Sequence, residues 1–320
     1  MSTARVAIAR GGASIEREVS LRGARRVNAA LRATGHEVAE VEIDHTLIER
    51  LREFDPAYVF IVAHGHSGED GSLQALLELL GVPYTGSDSL ASALCLDKIL
   101  TKRLLLRAGL PTPPFHAFSR RTFQDLGAAA VFDDVMELLG APVVVKPARL
   151  GSSFGIKYVA EPAQLRTAVL GAVAYDDEIL VERHLAGREL AVTVLGGDEA
   201  PYESLPIVEI LGAEELYDYE AHYDFDVVRL DAPASLQAGV QAAVEEAALA
   251  ACRALGTRDF ARVDLILDEH GRGGGVQILE VNTIPGLTET GPTPLAAEAA
   301  GMTFAELVTR IGARAGGRMS

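Results

Sequence analysis

The 320-residue sequence predicts an α/β unit followed by α+β structure, on three observations. Strand-like and helix-like patterns alternate over the first hundred residues, as they do where parallel strands are joined by crossover helices. The run Gly109-Leu-Pro-Thr-Pro-Pro114 then interrupts them, and beyond it shorter strands surround glycine-rich turns. Such a length corresponds to about two domains at the usual one per 100 to 200 residues. With 48% apolar and 23% charged residues, the composition is that of a globular chain with a buried core, not a disordered or fibrous one.

Taken in order, Arg5 to Arg10 carries the short apolar run Val6 to Ala9 and reads as a strand. A helix follows from about Glu16 to Thr34, with Gly35 at its C-cap position. Val38 to Ile43 is a second strand and Ala57 to Ala63 a third. That third run, seven residues long, is far below the roughly 20 needed to span a bilayer. Past the loop His64 to Gly71 come a short helix, Ser72 to Leu80, a strand ending at Gly86, and a long helix from about Ser89 to Ala108. The proline-rich run from Gly109 to Pro114 is expected to be a linker. Pro142 to Pro147 reads as a strand entering the glycine-rich loop Gly151 to Gly155, with a further strand near Ile156 to Val159. A helix from Pro162 to Ala174 and a strand from Glu178 to Glu182 complete a small α+β unit. The remainder holds a strand at Leu190 to Leu195, a polar aromatic loop at Tyr217 to Tyr223, an alanine-rich helix at Leu236 to Leu255, two strands at Ala261 to Leu267 and Val276 to Val281, and C-terminal helices.

The charges, 29 basic against 45 acidic, sum to −16 and argue against nonspecific attraction to nucleic acid or anionic lipid. Any anionic ligand must be held by a local basic cluster. Only four of the basic residues are lysines, Lys98, Lys102, Lys146 and Lys157, all within 60 residues of one another. Arginine serves the rest of the surface, so the lysines mark where a compact ammonium is wanted. Cys95 and Cys252 cannot build a disulfide scaffold and are expected as buried thiols in a reducing cytoplasm. The first ten residues lack the apolar core of a secretory leader, and together with the net negative charge this leaves neither membrane nor nucleic acid expected as a partner.

Three groups of residues carry chemistry. Arg262-Val-Asp264 and Glu280-Val-Asn282 lie on two predicted strands, and residues two apart share a face. If those strands pair, Asp264, Glu280 and Asn282 converge as the hard oxygen donors that Mg²⁺ takes alongside phosphate. Arg262 then neutralises charge on a reacting oxygen, unless it is spent in an ion pair with Glu280. Lys146-Pro followed by Gly151-Ser-Ser-Phe-Gly155 is a strand entering a small loop whose backbone N–H groups can approach phosphate oxygens, although an ordinary hairpin explains it as well. It has neither the Walker A spacing nor the Rossmann glycine pattern. Finally, Gly11 to Glu16 and His64 to Gly71 follow the first and third strands, where open parallel sheets bind ligands. Glu16 suits an ammonium group there, or is simply a helix-start carboxylate.

In combination, these segments resemble the D-alanine–D-alanine ligases of the ATP-grasp superfamily. The likeness runs nearly end to end through Gly11-Gly-Ala-Ser-Ile-Glu-Arg-Glu-Val-Ser20, His64-Gly, Gly68-Glu-Asp-Gly71, Pro83-Tyr-Thr-Gly86, Asp97-Lys98, Lys146-Pro, Gly151-Ser-Ser153, Tyr217-Asp-Tyr-Glu-Ala221, Arg262-Val-Asp264 and Glu280-Val-Asn-Thr-Ile-Pro-Gly286. It implies an ATP-grasp fold in three parts: a parallel-sheet N-terminal domain over 1–108, a small central α+β unit over 109–187, and a C-terminal α+β domain over 188–320. By family likeness Lys98, Lys146 and Ser153 would contact ATP phosphates, and Glu182 and Glu189 the adenine and ribose. Asp264, Glu280 and Asn282 would hold two Mg²⁺ ions, with Mn²⁺ as a substitute. Glu16, supported by Ser152 and Tyr223, would take the ammonium of a first D-alanine beside His64, and Arg262 with the Gly286 N–H would hold the oxyanion. The implied reaction makes a D-alanyl phosphate and then D-alanyl-D-alanine for peptidoglycan synthesis, in a cytoplasmic homodimer.

Two positions depart from the family. His222 stands where it usually carries lysine, and Gly291 where it usually carries a serine that binds the second substrate's carboxylate; Thr290 is a neighbouring hydroxyl. Each charge-assisted hydrogen bond contributes roughly 1.5 to 3 kcal/mol. The alternative to D-alanine as second substrate is therefore another acceptor: a hydroxy acid, an amine or a different amino acid.

Overall fold

The computed structural model describes residues 3–125, 127, 132–151, 154–198, 200–212, 229–268 and 275–318. Its N-terminal sheet is parallel, in the order β2 (Glu37–Glu42), β1 (Arg5–Arg10), β3 (Tyr58–Ile61). Parallel strands are covered on both faces, which is why Val6 to Ala9 are fully buried without alternation. Val6, Ile8 and Phe60 pack against α1 (Arg17–Ala33) and the C-terminal helix α11 (Phe304–Gly317). Ala7, Ala9 and Ile61 face α2 (Leu47–Phe54) and α3 (Ser72–Leu80).

Two expectations in this region are corrected. The strand expected to end at Gly86 is a single parallel bridge between Val59 and Tyr84. Beyond it the Gly86 N–H is taken by the Asp259 carboxylate at 2.8 Å, and Gly86, at φ 93°, turns the chain away from the sheet. The long helix expected from Ser89 to Ala108 is two, α4 (Ser89–Leu96) and α5 (Lys98–Arg107). Asp97 between them is extended, and its carboxylate accepts from the N–H groups of Ile99 and Leu100, both at 3.0 Å. A short acidic side chain competes with the helix for backbone donors, so it caps a new helix instead of continuing the old one. Because of this break, the Lys98 N–H reaches the Ala148 carbonyl at 3.0 Å and the lysine is tied to the next sheet.

The Gly109 to Pro114 run is stitched down: Pro111 O accepts from the Ile278 N–H at 2.9 Å, and the Thr112 hydroxyl donates to Ile278 O at 2.7 Å. It leads into a four-stranded antiparallel sheet in the order β4 (Phe115–Ser119), β7 (Glu178–Arg183), β5 (Val143–Pro147), β6 (Lys157–Val159). Three helices accompany it: α6 (Arg120–Asp125), α7 (Phe132–Leu139) and α8 (Pro162–Val173), the last two contributing Met136, Leu139, Leu165 and Val169 to its core. The third sheet has the order β11 (Arg229–Asp231), β10 (Val208–Leu211), β8 (Arg188–Gly197), β12 (Asp259–Asp268), β13 (Gly275–Asn282), with β9 (Ala200–Ser204) also pairing β8. The alanine-rich helix α9 (Ala238–Leu255) covers one face, where Cys95 and Cys252 are both buried as expected. Strands β4, β9, β10 and β11 and helices α2, α6 and α7 have no counterpart in the sequence expectations. No helix among the described residues is long and apolar enough to cross a membrane.

Candidate active site

Strands β12 and β13 do pair, antiparallel, with Arg262 opposite Asn282 and Asp264 opposite Glu280. The two-residue period then puts all four polar side chains on one face of the hairpin. On the other side of β12 runs β8, with Ala191 opposite Asp264 and Glu189 two residues further along the same face. Arg262 forms a bidentate pair with Asp264, at 2.7 and 2.8 Å, and not with Glu280. Glu280 instead accepts Lys98 Nζ at 3.0 Å, and that ammonium also donates to Leu150 O at 2.6 Å. Burial alone would raise the Glu280 pKa, but the Lys98 and Lys146 charges hold it below the ordinary carboxylate range. Glu189 is less well compensated: burial, then the Asp264 charge, pushes it up to about 7 although Lys146 and Arg262 pull the other way.

Asp264, Glu280 and the Asn282 amide are the donors the sequence nominated for a divalent cation. Among the described residues no group of three or more His, Cys, Asp or Glu side chains is arranged to hold a metal. Two carboxylates and an amide on one face nevertheless fit Mg²⁺, a hard cation that is commonly held by one or two carboxylates, the remaining positions going to water and phosphate oxygens.

Glu182 gathers two of the other three lysines. Lys146 Nζ lies 2.5 Å from its Oε1 and Lys102 Nζ 2.7 Å from its Oε2. Burial would raise the Glu182 pKa, yet the two ammoniums bring it down to about 2. Lys102 has no role in the sequence expectations beyond its membership of the lysine cluster; it lies one turn beyond Lys98 on α5.

The N-terminal loops supply a different electrostatic environment. Glu16 precedes α1, while His64 and Glu69 lie in the loop after β3. Glu69 Oε2 accepts from the Gly65 N–H at 2.6 Å, and its Oε1 is 3.9 Å from His64 Nδ1. Glu16 Oε2 and His64 Nε2 are buried without a hydrogen-bond partner. Burial, then the Glu69 charge, raises Glu16 to about 7. For His64, burial lowers the pKa but Glu69 and Glu16 outweigh it, so the imidazole holds its proton more tightly than usual. Two crowded acids, one with an orphaned oxygen, call for a cation, and an ammonium group is the organic cation that supplies three donors. Gly151 closes the gap between this cluster and the glycine-rich loop. A Cβ at that position would lie 2.8 Å from Glu69 Oε2 and 3.2 Å from Glu16 Oε2.

One cleft is lined by Glu69 and Gly151 together with Lys98, Glu280 and Asn282. Glu69 and Lys102 are thus the site residues that sequence reasoning did not assign, although Glu69 sits in the Gly68-Glu-Asp-Gly71 segment it quoted. Ser152, Ser153, His222 and Tyr223 lie outside the described residues. Gly286 and Gly291 belong to the loop after β13, which Arg26 of α1 holds by donating to Leu287 O at 2.8 Å. Thr290 is exposed, and Gly291 caps α10 (Pro292–Ala299). A Cβ on Gly291 would meet Gly286 O at 3.0 Å, whereas one on Gly286 meets open space.

The chain resembles known proteins over nearly its whole length. Residues 46–87 match the family model described as D-ala D-ala ligase N-terminus, and residues 104–312 the model described as D-ala D-ala ligase C-terminus. The chain is 42% identical over 307 residues to the D-alanine–D-alanine ligase of Moorella thermoacetica, covering 96% of this chain and 97% of that one. Its fold is similar to the crystal structure of D-alanine–D-alanine ligase from Bacillus anthracis complexed with ATP, at TM-score 0.81 and 29% identity over 99% and 98% of the two chains. It is similar also to the VanG D-Ala:D-Ser ligase of Enterococcus faecalis, at TM-score 0.81 and 26% identity over 98% and 99%.

Proposed function

The chain belongs to the D-alanine–D-alanine ligase family, and from that membership we propose that it joins two D-alanine molecules at the expense of ATP, for peptidoglycan synthesis. The observation that carries the reading is a cleft lined by Glu69, the acid that crowds Glu16, together with Lys98, Glu280 and Asn282. Such a lining suits a substrate bearing both an ammonium and a carboxylate, the ammonium toward the acids and the carboxylate toward the lysine.

Glu16 holds the ammonium of the first D-alanine beside His64, so that its carboxylate oxygen faces the γ-phosphorus. That oxygen bonds to phosphorus, ADP leaves, and a D-alanyl phosphate results. The neutral amine of the second D-alanine then attacks the acyl carbon, the amine proton is lost, and the bond to the phosphate oxygen breaks. Arg262 and the Gly286 N–H face the oxygen on which charge develops, and donors placed there act mainly on the transition state. Lys98, Lys146 and Ser153 position the phosphates, while Glu182 and Glu189 serve the adenosine end. Asp264, Glu280 and Asn282 are the residues that would hold two Mg²⁺ ions, or Mn²⁺, whose charge offsets that of the phosphate oxygens. Ser152 and Tyr223 support Glu16 in this reading, and the chain is divided at 1–108, 109–187 and 188–320 in a cytoplasmic homodimer.

One observation favours a second reading of the acceptor. The loop is packed so closely at Gly291 that the usual serine there requires Gly286 O to give way. Together with His222 and the likeness to a D-Ala:D-Ser ligase, this supports an acceptor other than D-alanine, with the same acyl-phosphate step. Phosphate release with D-alanine alone, against D-alanine plus hydroxy acids, amines and larger amino acids, separates the two when the products are weighed by mass spectrometry. Full turnover with D-alanine alone supports the ligase reading; turnover only with another acceptor supports the second. In either case Glu280→Gln is expected to abolish phosphate release while leaving the circular dichroism spectrum unchanged.

A further inference from the structure

We propose that Lys102 is a positioning residue, a standing counter-ion of Glu182 that lets Lys146 leave that carboxylate and turn to the phosphates of a bound nucleotide. The inference rests on the nucleotide reading above and deepens it.

Glu182 of β7 lies opposite Val144 of β5 and opposite Phe115 of β4. Lys146 is two residues along from Val144 and therefore on the same face as Glu182. Each carboxylate oxygen has its own ammonium, Oε1 that of Lys146 and Oε2 that of Lys102. The two lysines are not equivalent. Lys102 is 1% exposed, donates to the Thr112 hydroxyl at 2.7 Å, and faces the Phe115 ring at 5.7 Å. That hydroxyl is itself committed to Ile278 O, so the chain of contacts runs from α5 through the 109–114 segment to β13. Lys146 has the more accessible side chain, at 12%.

A carboxylate as buried as Glu182 cannot be left without a positive partner except at a large cost. If Lys146 were its sole counter-ion, moving that ammonium onto a phosphate would strand the acid. With Lys102 fixed on the other oxygen, the acid stays paired and Lys146 is free to change partners. No active-site role needs the ammonium of Lys102, which explains why a lysine is buried beside the site with no route to a ligand.

Only four lysines exist in the chain, so ¹³Cε/¹⁵Nζ-lysine labelling gives an NMR spectrum with four side-chain signals, assigned by Lys→Arg substitution at each position. On titration of the unmodified enzyme with MgADP and then MgATP, the Lys146 signal is expected to move while that of Lys102 stays protonated and in place. A Lys102 signal that moves as far as that of Lys146 overturns the proposal. Calorimetric titration with MgADP supplies the second arm. Lys102→Met is expected to weaken binding at least tenfold while the KM for D-alanine stays within about twofold. Lys102→Met combined with Glu182→Gln is expected to recover most of that loss, because no buried charge is then stranded, and Gln keeps an acceptor oxygen. A purely structural lysine predicts no such recovery, and unchanged MgADP binding by Lys102→Met also sinks the idea. Should Lys102→Met fail to fold, the NMR titration of the unmodified enzyme still decides. Absence of nucleotide binding by the unmodified enzyme would count against the proposed function as well, and is told apart by that control.

Discussion

A carboxyl that has lost water without gaining a partner, as Glu16 has beside Glu69, keeps its proton to higher pH than an exposed acid. Its ordinary value of 4.5 rises to about 7. The folded state therefore binds this proton more tightly than the unfolded one, and stability is lost as pH climbs from the unfolded value through the folded one. Glu16→Gln is expected to unfold at a higher temperature than the parent above pH 7 and at the same temperature near pH 4, as differential scanning calorimetry would record. Binding of an ammonium needs the ionised acid, so the sign for activity is opposite. At saturating nucleotide, kcat/KM for the first amino acid should fall roughly tenfold per unit below pH 7, since that ratio reports the free enzyme. A flat profile between pH 6 and 8 would remove Glu16 from the ammonium site. At the acceptor end, Gly291→Ser with His222→Lys is expected to lower the KM for D-alanine as second substrate. Gly291→Ala, which adds the Cβ but no hydroxyl against Gly286 O, is expected to raise it.

Among the elements, the break between α4 and α5 does most to build the site. Asp97 opens a new helix whose first residue is Lys98, and the Lys98 N–H is thereby spent on Ala148 O, just past the end of β5. Removing the cap with Asp97→Ala is expected to cost about 1 kcal/mol in urea denaturation and to raise the KM for ATP more than that for D-alanine. The periodicity of Ser89 to Ala108 is continuous, which is why a sequence pattern alone joins the two helices: an aspartate inside a helical run and an aspartate capping one look the same until its hydrogen bonds are known. The β12–β13 hairpin was more legible. Arg262-Val-Asp264 and Glu280-Val-Asn282 alternate charge with apolar residues, and a period of two leaves a single way to put four polar groups on one face. What could not be read was the partner choice, Asp264 for Arg262 and Lys98 for Glu280, because the lysine comes from a helix more than 150 residues earlier.

At the scale of the molecule, the N-terminal sheet and the last helix hold each other. Leu307, Val308, Ile311 and Ala315 of α11 pack into the core of β1 and β3, and Arg318 just beyond it pairs with Asp259 at 2.7 and 2.6 Å while donating to Tyr84 O. Asp259 is 2% exposed and also accepts from the Gly86 N–H, so it joins three distant segments. Arg318→Ala strands a buried carboxylate and is expected to destabilise the fold by about 3 kcal/mol. Replacing Asp259 by asparagine in the same background should recover part of that loss, measured as a shift in urea midpoint at constant slope. The cleft depends on the same arrangement, since Glu69 comes from the N-terminal loops and Glu280 from the C-terminal hairpin.

The chain order of residues was enough to establish the class of fold and the side chains that share the β12–β13 face, because these follow from local period and from residues that are close in sequence, while the family was legible through the resemblance of many short segments. Tertiary structure alone decided which charges meet: Lys102 and Lys146 on Glu182, Glu69 crowding Glu16, Arg318 on Asp259. Coulombic and desolvation energies depend on distance in space and on exclusion of water, and neither quantity is written in the spacing of residues along a chain.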